Sequence, residues 1–253
     1  MYQGVANRFA ASLTGVGRVG HFVSDFVRSF GDVRVWTALT PAQMRRIGVQ
    51  SLPIALFISV FTGIVLALLA SYTLTGAVPL YFVGTMVGKA VMIELAPVLV
   101  GLALAGRVGA NIAAELGTMR VTEQVDALET LAYDPQSYLV VPRVLAATLM
   151  FPVVVALSEA VGIVSGWITS VSLLDLSTVE FVKGLRLFYE FKDIWYGLFK
   201  SMSFGFAIAL IGCIRGLHAE GGAEGVGNTT MRAVVLGAQA ILVLDAFWAV
   251  VLL

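Results

Sequence analysis

Charged residues inside long apolar runs of the sequence include Glu94, Lys200 and Asp245, which are the candidates for function, and Glu159, which we interpret as structural. An ionised side chain at the centre of a bilayer costs roughly 2.5 to 3.5 kcal/mol on insertion scales, so it usually marks a transport pathway or a partner of opposite charge. Lys200 is the basic member of the set. We therefore expect Lys200 to pair with Glu94 or Asp245 beside a cavity, and a purely structural ion pair is the alternative.

The sequence lacks the residue patterns that are typical of catalytic sites. The nearest approach to a phosphate-binding loop, at 84–90, has the wrong spacing and lacks the hydroxyl residue that binds magnesium. His21 and His218 have no metal-ligand or catalytic-triad spacing around them, and Cys213 lies alone in an apolar run. We expect no catalysis, no metal and no cofactor in this chain.

A short helix is predicted in the polar segment that follows residue 115. Thr122 is placed to cap it, and the helix dipole favours acids in a first turn that holds Glu123, Gln124 and Asp126. The Asp134-Pro135 pair ends the segment.

The predicted helix at 122–132 is amphipathic. Its apolar residues recur at spacings of four, three and four, and they are Val121, Val125, Leu128 and Ala132. Glu123 and Glu129 lie on other faces. Such a helix either docks in a groove of a partner or packs on the chain's own membrane domain, and the pattern alone favours neither.

The elements that position these residues are membrane helices. Hydrophobic residues make up 58% of 253 and charged residues 13%, far from the composition of soluble domains. Apolar runs of about 18 residues or more indicate membrane spans. We predict an all-α integral membrane protein with five spans, at 54–72, 81–106, 144–171, 194–214 and 233–253.

Polar segments connect these spans. We expect 107–143 to form a loop in water, 175–193 a second polar connection and 215–232 a glycine-rich irregular loop. Thr75, Gly76 and Pro79 predict the first turn. Residues 1–46 form an N-terminal segment and 47–253 the membrane domain; charges opposite an apolar face predict an amphipathic helix in the membrane interface before position 31. A soluble helix packed on the bundle is the alternative.

The distribution of basic residues predicts the orientation. With a cytoplasmic N-terminus, four basic residues face outwards: Lys89, Lys183, Arg186 and Lys192. Eleven face inwards: Arg8, Arg18, Arg28, Arg34, Arg45, Arg46, Arg107, Arg120, Arg143, Arg215 and Arg232. The C-terminus then lies on the outer side. The net charge is zero, so we expect no nucleic-acid partner.

Four stretches carry a family resemblance. They are ELAP from Glu94, AGRVGANIAAELGTMRVTEQVDALETLAYDP from Ala105, YLVVPRVLA from Tyr138 and GGAEGVGNTTMRAVV from Gly221. Their order and length resemble the MlaE (YrbE-type) permease family over about positions 40–253. The resemblance implies a bacterial inner-membrane subunit of an ABC transporter that moves phospholipids or related lipids between the inner membrane and the outer envelope.

The resemblance also implies partners and roles. Such permeases work as homodimers with two cytoplasmic ATPases (MlaF-like) that bind ATP and magnesium, often a STAS-domain protein (MlaB-like), and a periplasmic hexamer of MCE-domain proteins (MlaD-like). The family's coupling helix falls on 122–132, which favours an ATPase contact there. Glu94, Lys200 and Asp245 match functional positions. Tyr72 and Leu74 fall where a lipid pocket would open, although residues at that depth also form an interface belt.

Two other classes of function stay open at this point. An ion- or proton-coupled secondary transporter would use Glu94, Lys200 and Asp245 as a relay. A non-transporting membrane scaffold would tolerate substitution of all three.

Overall fold

Five long helical runs make up most of the protein. The computed structural model describes residues 20, 22, 24–74, 78–187 and 189–252. Within this part the runs that are long and apolar enough to cross a membrane are Val33–Thr73, Phe82–Val121, Gln136–Leu173, Phe191–Leu217 and Gly222–Val251. The predicted all-α membrane fold with five spans is confirmed. Residues 1–19, which carry much of the predicted interfacial helix, and Thr75 and Gly76 of the predicted turn lie outside the described residues.

The first two runs are assembled from several pieces. Helix α1 (Val33–Ile47) passes through a 3-10 turn (Val49–Ser51) into α2 (Leu52–Thr73). The second run contains α3 (Phe82–Ala90), α4 (Ala96–Leu104) and α5 (Ala110–Val121). Two π-helical segments join these three helices, at Val91–Leu95 and Ala105–Gly109.

The remaining elements alternate between spans and short helices. A short helix, α6 (Gln124–Thr130), leads to a π-helical segment (Gln136–Val140) and to α7 (Val141–Leu173). Helix α8 (Thr178–Leu187) connects α7 to α9 (Phe191–Leu217), and α10 (Gly222–Leu252) completes the chain. Pro152 lies inside α7, which continues through it. The largest apolar core lies between α4, α5, α7 and α9 and includes Val100, Phe151, Phe204 and Ile208.

The two ends of the bundle differ in their basic residues. We call one the arginine end, because it carries Arg46, Arg107, Arg120, Arg143 and Arg215 at the helix termini. The other is the lysine end, which carries Lys89 on α3, Lys183 and a single arginine, Arg186, on α8, and Lys192 on α9. This segregation follows the sequence-based count of basic residues on the two sides.

The predicted loop at 107–143 is wrong in extent. Helix continues to Val121 and resumes at Gln136, so the connection is only 122–135. A helical run of 40 residues is about 60 Å long, about twice the hydrocarbon thickness, and therefore projects beyond the bilayer. The polar residues that suggested a loop are satisfied between helices: Arg107 donates to Ser51 Oγ at 2.5 Å, and Glu115 pairs with two arginines.

The predicted glycine-rich loop at 215–232 is also wrong, because α9 ends at Leu217 and α10 begins at Gly222. Glycines on other helices serve as points of close approach within the chain. A Cβ at Gly63 would lie 2.0 Å from the Gly162 carbonyl oxygen, and one at Gly216 would lie 2.7 Å from Leu116 Cβ. These glycines thus allow close packing of α2 on α7 and of α5 on α9.

Replacing Gly184 by alanine is expected to destabilise the protein by about 1 to 3 kcal/mol, the usual cost of overpacking a core. A Cβ there would lie 1.7 Å from the Tyr81 carbonyl oxygen, so α8 would have to move away from α3. Denaturant unfolding in micelles measures the effect. Gly227→Ala is the control because no atom lies within 4 Å of its added Cβ. Equal stability of the two variants would contradict the prediction.

Candidate functional site

A buried ammonium group joins the three charged residues of the apolar runs. Lys200 Nζ lies 2.6 Å from Glu94 Oε2 and also contacts Asp245 Oδ1. The Lys200 side chain is fully buried, whereas that of Glu94 is 44% exposed. The sequence predicted one acidic partner for Lys200, and the structure supplies both. With every group ionised, the cluster holds two negative charges and one positive charge.

Three different elements position this cluster. Glu94 belongs to the π-helical segment Val91–Leu95, Lys200 to α9 and Asp245 to α10. Lys200 Nζ also donates to the Ile93 carbonyl oxygen at 3.3 Å, and the Tyr196 ring lies 5.7 Å away. Short π-helical segments frequently occur at functional sites. Any change in the packing of these three spans therefore alters the surroundings of Lys200.

The two residues expected to form a lipid pocket lie elsewhere. Tyr72 is 81% exposed near the end of α2. Leu74 packs against a separate apolar cluster at the lysine end that includes Val83 and Phe181. Their role in lipid binding stays a prediction.

Glu159 is a further buried acid, whose expected role is structural. It lies on α7, is 5% exposed, and its Oε1 atom has no hydrogen-bond partner in the described structure. A Cβ added at Gly197 would lie 2.7 Å from this oxygen, which shows how closely α7 and α9 approach. A buried polar atom without a partner costs about 1 to 3 kcal/mol.

The predicted coupling helix is shorter than expected. It spans Gln124–Thr130, and the Glu123 position that precedes it adopts a left-handed conformation with φ of 60°. The predicted Thr122 cap is wrong: its hydroxyl donates to the Thr118 carbonyl oxygen at 2.7 Å and so closes the end of α5. The helix is attached to the end of α5 by an ion pair between Asp126 and Arg120.

The apolar face of α6 is turned towards the chain itself. Val125 is buried in the main core, and Leu128 packs against the same cluster. The self-packing alternative of the sequence analysis therefore describes these two residues. The side chains of Glu123, Gln124, Asp126 and Glu129 are exposed.

Two exposed apolar side chains follow α6 and form a surface that was not predicted from the sequence. Leu131 is 68% exposed and Tyr133 is 51% exposed. We call the surface formed by Glu123, Asp126, Glu129, Leu131 and Tyr133 the α6 surface. An apolar centre with a charged rim is the usual composition of a protein interface. No pattern in the sequence marks this surface, because these two residues fall outside the helical period of α6 and only their exposure distinguishes them.

Glu115 links three helices at the arginine end. Its Oε2 atom lies 2.7 Å from Arg46 of α1, and its Oε1 atom lies 3.2 Å from Arg143 of α7. Arg143 is buried and donates to the Leu139 carbonyl oxygen at 2.6 Å. The projecting end of α5 is thereby fixed to both neighbours, next to the α6 surface.

Asp134 connects the 122–135 segment to the N-terminal part of the chain. Its carboxylate accepts from the Ser29 hydroxyl at 2.6 Å, the Ser137 hydroxyl at 2.7 Å and the Ser137 N–H at 3.0 Å. Burial opposes ionisation, but these hydrogen bonds outweigh it and hold the pKa of Asp134 below its ordinary value. The ionised form thus stabilises the fold.

The stability that Asp134 contributes is expected to be fully present above its unfolded pKa of about 4 and to be lost as the pH falls through its lower folded value. Denaturant unfolding in micelles from pH 6 to pH 2, with Asp134→Asn alongside, measures this contribution. The difference in stability between the two proteins should shrink on acidification. A difference that stays constant over this range would contradict the assignment.

The fold and the site together define a polytopic α-helical membrane protein with a buried charge cluster between its spans. A family profile described as Permease MlaE matches residues 40–251. The chain therefore belongs to the MlaE permease family.

Individual relatives cover most of the chain. A probable ABC transporter permease protein of Synechocystis sp. is 42% identical over 208 residues, which are 82% of this chain and 79% of that protein. One of Rickettsia prowazekii is 40% identical over 83% of this chain and 81% of its own length. The chloroplastic protein TRIGALACTOSYLDIACYLGLYCEROL 1 of Arabidopsis thaliana is 34% identical over 81% of this chain and 59% of its own length.

Proposed function

We propose that this chain is the permease subunit of an ABC transporter that moves phospholipids or related lipids between the bacterial inner membrane and the outer envelope. The observation that carries the proposal is the match to MlaE permeases over residues 40–251. Relatives named ABC transporter permeases support an ATPase in a separate subunit, which would bind the ATP and magnesium. The glycerolipid in the name of the Arabidopsis relative supports a lipid cargo.

In this proposal the arginine end lies in the cytoplasm, because basic residues accumulate on that side of membrane proteins. The N-terminus is then cytoplasmic and the C-terminus periplasmic. Two copies form a homodimer and bind two MlaF-like ATPases at the α6 surface. A STAS-domain protein of the MlaB type and a periplasmic MCE hexamer of the MlaD type complete the assembly. The rigid connection through Glu115 supports transmission of ATPase movement to α5 and α7.

The charge cluster has a defined part in this cycle. Glu94, Lys200 and Asp245 belong to three elements that meet at one buried ammonium group. Rearrangement of the spans would exchange the partners of Lys200, and the half-exposed Glu94 would face the lipid path in one of the states. The chain itself supplies the path and the coupling, and the ATPase supplies the chemistry.

Affinity purification from the native membrane in mild detergent tests the assembly, with mass spectrometry of proteins and lipids. Recovery of an ATPase, an MCE protein and phospholipid is expected. Leu131→Glu should reduce ATPase recovery by disrupting the α6 surface, whereas Leu187→Glu, a comparably exposed position at the lysine end, should not. Wild-type protein that carries neither ATPase nor lipid would overturn the proposal.

A second function is favoured by one observation, the excess of acid between the spans. The cluster contains two carboxylates for one ammonium group, and Glu159 has an unpaired oxygen nearby on α7. Proton-coupled transport would use such groups. Lipid movement by the chain in vesicles under a pH gradient, without ATPase, would establish it; movement that requires ATPase and ATP would exclude it.

A further inference from the structure

Two cavities lie side by side along α9 and share Phe199 and Trp248 as lining residues. The first, of about 610 Å³, lies at the lysine end and contains Lys89. The second, of about 640 Å³, continues past Phe206 to Ile211. Each has the volume of a small-molecule site. We call them the head cavity and the tail cavity.

The head cavity combines opposite charges with aromatic rings. Lys192 Nζ lies 2.7 Å from Glu190 Oε2, and Lys89 Nζ lies 3.6 Å from Asp193 Oδ2. A separation of 3.6 Å is longer than a hydrogen bond, so the Lys89 ammonium keeps donors for a ligand. Asp193 is already engaged, since it accepts from the Glu190 N–H at 3.2 Å. Trp195, Tyr196 and Trp248 complete the wall.

The lining of the tail cavity is almost entirely apolar. Its two hydroxyl groups are satisfied within the protein: Thr148 donates to the Val144 carbonyl oxygen, and Ser203 donates to the Lys200 carbonyl oxygen while accepting from Trp248 Nε1. The lining of the two cavities extends along α9 from Trp195 to Ile211, a rise of about 24 Å. One leaflet of hydrocarbon is about 15 Å thick, so the two cavities together are longer than one leaflet.

We propose that the two cavities together bind one zwitterionic glycerophospholipid. Its phosphate lies at Lys89 and Lys192, its amine at Glu190 and the aromatic faces, and its acyl chain in the tail cavity. The balanced charge of the head cavity favours a zwitterion over an anionic lipid. The inference rests on the proposed function for its lipid class and adds a site outside the charge cluster.

The head cavity is linked directly to the charge cluster. Ile93 and Tyr196 line the cavity, and the same two residues contact the Lys200 ammonium group through a carbonyl oxygen at 3.3 Å and a ring centroid at 5.7 Å. A bound headgroup therefore lies one residue layer from Lys200. The site is positioned to deliver lipid to the cluster or receive lipid from it.

Native mass spectrometry of the purified chain with added phosphatidylethanolamine tests the site. Ala207→Trp fills the tail cavity, and Lys89→Gln removes a donor from the head cavity. Each is expected to reduce lipid binding by roughly tenfold, the effect of losing one charged hydrogen bond or a comparable apolar contact. The matched controls are Ala160→Trp on the exposed face of α7 and Lys183→Gln on α8, which should bind as the wild type does.

Comparison of the binding of three lipids identifies the headgroup that the site prefers. Phosphatidylethanolamine should bind better than phosphatidylglycerol or diacylglycerol, and Glu190→Gln should abolish its preference over phosphatidylglycerol by removing the partner of the amine. Ala207→Leu replaces Ala207→Trp if the latter does not fold. Equal binding by the cavity variants and their controls, or equal binding of the three lipids, would overturn the inference. Lipid transport by the wild type with its ATPase is measured separately, so the proposed function can stand while this site fails.

Discussion

Replacing Lys200 by methionine is expected to abolish transport and to lower the free energy of unfolding by about 3 to 5 kcal/mol, the usual cost of removing one partner from a buried ion pair. The substitution leaves Glu94 and Asp245 facing one another without the ammonium group between them. Methionine has a similar volume, so the loss comes from charge and not from packing. Denaturant unfolding in micelles and ATP-driven lipid movement in vesicles measure the two effects.

A triple variant separates stability from function. Glu94→Leu, Lys200→Met and Asp245→Leu together leave no charge in the cluster, and replacement of a buried ionic group by apolar residues of similar volume is often without cost to stability. The triple variant should therefore unfold close to wild type while it still fails to transport. Wild-type transport by this variant would show that the cluster is only structural, as the alternative in the sequence analysis states.

Replacing Glu115 by alanine is expected to cost about 3 kcal/mol, the lower end of the range for breaking a buried pair, because its side chain is 31% exposed. Arg143 would remain buried without its counterion, and α5 would lose its connection to both α1 and α7. In the complex with the ATPase, lipid transport should fall more than ATP hydrolysis.

Glu129→Ala is the control for stability, because it removes an exposed carboxylate from the same end of the bundle. Unfolding of the isolated chain is compared first, and coupling is then measured as lipid moved per ATP hydrolysed. An unchanged ratio in Glu115→Ala would show that this residue supports the fold without transmitting movement.

The number and order of the spans were predictable because a span requires about 20 apolar residues whatever its neighbours are. The helix limits were not. Residues 107–121 carry charges that are typical of a loop, but their partners Ser51, Arg46 and Arg143 come from distant parts of the sequence. Local composition cannot reveal a charge that is neutralised by another helix.

The site shows the same limit. Glu94, Lys200 and Asp245 stood out because charge in an apolar run is unusual, and the structure brings them together. The α6 surface did not stand out, because Leu131 and Tyr133 fall outside the helical period and gain significance only from their exposure. The Thr122 cap was wrong because the end of α5 competes for the same hydroxyl.

The two π-helical segments of the second run change the direction in which its later side chains point around the helix axis. Each inserts one extra residue, which rotates all later side chains by about 100° relative to a continuous α-helix. A helical wheel drawn through Phe82–Val121 therefore assigns residues near Ile112 to a face about 200° from where they lie. A single-residue deletion in Val91–Leu95 would keep a helix yet turn Arg107 away from Ser51. Alignments of MlaE permeases should accordingly show no gap between Glu94 and Arg107, although a helix would still form after a single deletion.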